Sequence, residues 1–86
     1  MRVIALYQPI SEHATSVESY ARDLEKQFNH KLELIDADSI EGAALCKVYG
    51  VVQYPTIVAL NSDGSIFQQW SGVLPLLNEV SYSFLQ

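Results

Sequence analysis

Residues 45–60, LCKVYGVVQYPTIVAL, hold the turning point of this 86-residue chain, because the hydrophobic period changes within them. Leu45, Cys46, Val48 and Tyr49 belong to a short helix over Glu41–Tyr49. Gly50 then supplies a left-handed cap without steric cost. From Thr56 to Leu60 the chain becomes β-branched and apolar, a strand that Tyr54-Pro55 leads into. Pro55 has no N–H for a sheet ladder, so it belongs to the turn.

Toward the C-terminus, Asn61-Ser62-Asp63-Gly64 reads as a hairpin loop and Ser65–Trp70 (SIFQQW) as its return strand. Ser71-Gly72 is a turn. Pro75 suits the first turn of a last helix, Leu74–Leu85. Leu77, Val80 and Phe84 form its inner face, and Leu76, Tyr82 and Leu85 lie off that stripe. Trp70 is expected to pack beneath this helix. Toward the N-terminus, Lys31–Ile35 (KLELI) alternates as a strand should, after a break at Asn29-His30. Ser11 can cap a helix whose buried stripe is Val17, Tyr20, Ala21, Leu24 and Phe28. Arg2–Tyr7 (RVIALY) is a buried strand stopped by Pro9. The order is β-α-β-α-β-β-α. Strands separated by helices favour parallel pairing and the final hairpin is antiparallel. Right-handed crossovers then give an α/β fold, a four-stranded mixed sheet with helices on both faces, as one domain over residues 1–86.

Composition narrows the function. Ten acidic residues against five basic ones give a net charge of −5, which argues against a nucleic-acid partner, since phosphate contacts need a basic stripe. No apolar run approaches the roughly 20 residues that span a bilayer. Arg2 precedes only five apolar residues before Gln8 and Pro9, too few for a signal-peptide core, so a cytoplasmic location is expected, with no membrane partner. From Val48 onward only Asp63 and Glu79 are charged, so this half is either well buried or an apolar contact surface that supports a homo-oligomer.

Three segments in order carry a resemblance: LIDADS (34–39), LCKVYGVVQYPTIVAL (45–60) and NSDGSIFQQWSG (61–72). Together they resemble the thioredoxin family, in a minimal version without the extra N-terminal strand and helix. The resemblance implies a cis peptide before Pro55, in a turn that abuts the active-site loop and docks extended peptides through backbone hydrogen bonds. It also places the family's C-x-x-C positions on Ser11-Glu12-His13-Ala14, its preceding aromatic on Tyr7 and its buried acid on Ala5. Both cysteines and the acid are absent. Thiol-disulfide exchange needs a thiolate and a resolving thiol, and the single Cys46 supplies no pair. The family's redox chemistry is therefore not expected.

The remaining candidates have simpler readings. Ser11 and His13 invite a hydrolase, yet residues two apart on a helix diverge by about 200°. Ser11 as cap, Glu12 as a charge near the helix start and His13 in solvent explain them without chemistry. Cys46 is expected to be a small, inert core residue. Asp36, Asp38 and Glu41 lack calcium-loop spacing and read as a solvated turn, and His13 and His30 lack metal-ligand spacing. No cofactor or metal is implied. The expected function is a redox-inactive module that binds a protein or extended peptide. Its groove lies between the 8–14 loop and the Tyr54-Pro55 turn, lined by Tyr7, Ile10, Ser11, His13, Tyr54 and Pro55. The alternatives are an enzyme using Ser11/His13 or Cys46 alone, and association through the weakly charged second half.

Overall fold

The computed structural model describes residues 2–84. Seven elements follow one another: β1 (Arg2–Tyr7), α1 (Ala14–Phe28), β2 (Glu33–Asp36), α2 (Ile40–Tyr49), β3 (Thr56–Leu60), β4 (Ile66–Ser71) and α3 (Leu77–Phe84). The strands form one sheet in the order β2-β1-β3-β4. β1 runs parallel to β2, and the β1–β3 and β3–β4 pairs are antiparallel. The mixed four-stranded sheet expected from the element order is therefore present.

Strand alternation divides the core in two. Val3, Ala5 and Tyr7 of β1, with Ile57 and Ala59 of β3, face α1 and α3, where they meet Val17, Leu24 and Val80. Ile4 and Leu6, with Val58 and Leu60, face α2 and Cys46 on the other side. The two central strands are buried on both faces, which is why they read as unbroken apolar runs.

The connections show where local chemistry set the boundaries. Asn29 ends α1 at φ 57° and Gly50 ends α2 at φ 66°, both left-handed caps. Ser39 caps α2: its hydroxyl accepts from the Gly42 N–H at 2.9 Å and donates to the Asp36 carbonyl at 2.6 Å. The Asp36 side chain accepts from the Asp38 N–H at 2.8 Å, tightening the same turn. Gly42 sits so close beneath β2 that a Cβ there would lie 1.8 Å from the Asp36 carbonyl oxygen. The Tyr54–Pro55 peptide bond is cis.

Several expected boundaries move: α2 begins at Ile40 rather than Glu41, and β4 spans Ile66–Ser71 rather than Ser65–Trp70. α1 begins at Ala14, and Ser11 is not its cap. β2 begins at Glu33 rather than Lys31. α3 begins at Leu77 rather than Leu74, because residues 72–76 form a bend, with Gly72 at φ 79°, and irregular coil that long-range bonds fix in place. The Gly72 N–H donates to the Pro55 carbonyl at 2.9 Å, and the Tyr20 phenol donates to the Leu76 carbonyl at 3.4 Å. The conformational bias against helix for a residue preceding proline, here Leu74, acts in the same direction. Val80 is fully buried on α3, Leu77 and Phe84 are half-buried, and Leu76 and Tyr82 are exposed. Leu85 lies outside the described residues. Among the described residues, no helix is long and apolar enough to cross a membrane.

Candidate functional site at the loop end of the sheet

Strand directions bring four loops to one end of the sheet. β1 and β2 finish there, β3 begins there and β4 finishes there. The 8–13 loop, the 37–39 turn, the 50–55 turn and the segment after Ser71 are therefore neighbours around a single rim, the usual location for function on a rigid scaffold.

Each sequence-predicted residue has a defined place on this rim. The Ser11 hydroxyl donates to the Gln8 carbonyl. His13 is not in solvent as expected: its Nε2 accepts from the Gln8 N–H at 3.2 Å and its ring lies edge-on to Tyr7, with centroids 6.5 Å apart. Both side chains thus close the turn ahead of α1 onto Gln8. With its lone pair committed to Gln8, Nε2 is turned away from the role of base to Ser11. Ile10 is fully exposed.

Tyr7 and Tyr54 occupy the same end but not the same wall. Tyr7 is buried against α1, and its phenol donates to the Glu18 carboxylate at 3.3 Å. Burial, reinforced by the Glu18 charge, pushes the Tyr7 phenol above its ordinary pKa. The Tyr54 ring packs with the α2-side cluster, and its phenol donates to Cys46 Sγ at 3.7 Å. That bond, then burial, raises the Tyr54 phenol as well. Tyr7 thus packs with the α1–α3 layer and Tyr54 with the α2 layer, so the two rings do not share one wall. Pro55 is buried, so it shapes the turn rather than lining a surface. Cys46 is buried.

The rim offers two other features. Ile10 (100% exposed), Ile40 (94%), Val52 (85%) and Val73 (65%) each project from a different segment at this end. Ile40, Val52 and Val73 carry no periodic signal that separates them from core residues; only the topology gathers them. Among the described residues, the turn before β3 also leaves backbone groups of Tyr54 without a hydrogen bond. The Gln53 carbonyl is taken by Thr56 Oγ1 at 2.6 Å and the Pro55 carbonyl by Gly72, whereas among the described residues the Tyr54 N–H and carbonyl have no partner.

No protein-family model and no curated protein sequence matches the chain. Solved structures do. Thioredoxin 1 from Thermosipho africanus TCF52B is 16% identical, with a TM-score of 0.69 over 99% of this chain and 91% of its own. A malarial protein is 16% identical, with a TM-score of 0.70 over 96% and 91%. The first two thioredoxin domains of Saccharomyces cerevisiae Eps1p are 17% identical, with a TM-score of 0.63 over 92% of this chain and 31% of theirs. These likenesses define a thioredoxin-like fold.

Proposed function

We propose that this chain is a redox-inactive module that binds a protein or an extended peptide across the loop end of its sheet. The observation that carries the reading is the gathering of Ile10, Ile40, Val52 and Val73, all largely exposed, around one rim. Covering apolar surface contributes about 25 cal/mol per Å², and exposed apolar side chains gathered at one end of a fold favour an interaction surface there. The Tyr54 N–H and carbonyl, unpaired among the described residues, add the donor and acceptor that main-chain pairing with an extended segment requires. The thiol inventory supports redox inactivity. Cys46 is the single cysteine and it is buried, so a mixed disulfide has no second thiol to resolve it. Ser11 and His13 act here as loop-closing residues.

A peptide-display selection against the immobilised full chain tests this reading. Selected extended peptides are expected to shift the Gln53 and Tyr54 amide resonances and to lose binding to an Ile10→Asp/Val52→Asp double variant. Both positions are exposed, so the variant retains the fold. Selected peptides that bind the variant as well as the parent chain, or that shift resonances only elsewhere, overturn the proposal.

A further inference from the structure

A second surface lies away from the rim, between β4 and α3, and stands independently of the reading above. The hairpin carries an irregularity: Ala59 pairs with Gln68 and Leu60 with Ile66, leaving Phe67 as an extra residue in β4. Such a bulge re-aims a side chain. Phe67 and its neighbour Gln68 consequently both face α3, alongside Trp70. With Asn78, Glu79 and Tyr82 of α3 they line an open groove of about 450 Å³. Three of its residues are aromatic, and all are partly or well exposed: Phe67 39%, Tyr82 61% and a half-buried Trp70.

Charge selects the occupant. Glu79 is the groove's one ionisable carboxylate, it is exposed, and it makes no ion pair among the described residues. No lysine or arginine occurs after Lys47, so nothing nearby in the sequence competes for it. Aromatic faces attract cations through their quadrupoles, and a carboxylate at the rim adds Coulomb attraction. Beside the groove, β4 is an edge strand, Ile66-Phe67-Gln68-Gln69-Trp70-Ser71, without a charge or a proline to blunt it. An added strand projects alternate side chains toward the α3 side, into the groove.

We propose that the β4–α3 groove receives the cationic side chain of an extended basic peptide, whose main chain pairs with the free edge of β4. Phe67, Trp70 and Tyr82 contact the cation's stem and face, and Glu79 sits at its charge.

Trp70 is the only tryptophan, so its fluorescence reports directly on the groove. The full chain is titrated with acetyl-Thr-Val-Arg-Val-Thr-amide and with the same peptide carrying citrulline, a neutral isostere of arginine. The arginine peptide is expected to change Trp70 emission saturably, with the citrulline peptide about ten-fold weaker. Glu79→Gln is expected to bring the two peptides close together, and Phe67→Ala to weaken the arginine peptide. Equal affinity of both peptides for the parent chain overturns the proposal, as does the absence of any saturable change. Sedimentation showing that β4 pairs with a second copy at the titration concentration overturns it too, by assigning the edge to self-association.

Discussion

Asp63 accepts two hydrogen bonds from Ser65, from its hydroxyl at 2.6 Å and its N–H at 3.0 Å. They hold the Asp63 carboxyl below its ordinary value of 3.8, the hydroxyl contributing most. The lowered value belongs to the folded state, so the hairpin gains from these bonds at pH above 3.8 and loses them as the pH falls through the lowered value. A carbon-13 titration of the Asp63 carboxyl is expected to show this displaced midpoint, and Ser65→Ala to return it toward the ordinary one. A midpoint unmoved by that substitution would show that Ser65 is not the cause. The Asp63-Gly64 turn was legible because its residue types have a local purpose, and Gly64 takes φ 89°. Ser11 misled for the same reason. A serine near a helix start signals a cap, but whether its hydroxyl points forward or back to Gln8 depends on how the loop closes, which no local pattern encodes.

Among the elements, α2 depends most on a single small residue. Glycine within an exposed helix is replaced by alanine with a gain of up to about 1 kcal/mol. At Gly42 the sign reverses, since the new methyl would overlap the Asp36 carbonyl oxygen and force α2 away from β2. Gly42→Ala is expected to destabilise the protein by about 1–3 kcal/mol. A urea midpoint equal to or above that of the parent chain would contradict this packing. β1 and β3 have the bounds their sequences announce, because burial on both faces leaves a run with no competing periodicity. α3 was harder to place. Pro75 suits a helix start in isolation, and only the long-range bonds of Gly72 to Pro55 and Tyr20 to Leu76 hold the preceding residues out of it. The stacking of His30 on Phe84, with centroids 4.5 Å apart and planes within 5°, likewise joins segments distant in sequence. The exposed rim was legible only in part: Ile10 was anticipated from its loop, but Ile40, Val52 and Val73 come to the same end only once the strand order is known.

At the scale of the whole molecule, the two core layers share a sheet but are reported by different side chains. Cys46 belongs to the α2 layer, where it is 7% exposed and receives the Tyr54 phenol. Its reaction with a neutral alkylating reagent is therefore expected to proceed through transient opening, on the order of a hundredfold slower than in denaturant. Gly42→Ala, by loosening that layer, is expected to accelerate it. A native rate equal to the denatured one would show that the layer does not close over the thiol. The margins of the sheet are as unlike as its faces. β2 carries Glu33 and Asp36 within four residues, with Glu33 gripped by Arg2 at 2.8 Å, whereas β4 carries no charge at all. Polymerisation by strand pairing demands two receptive margins on each molecule, and this one has a single such margin. A second copy that joins at β4 leaves a charged border outermost on both molecules, so growth terminates at the pair instead of propagating into a fibre.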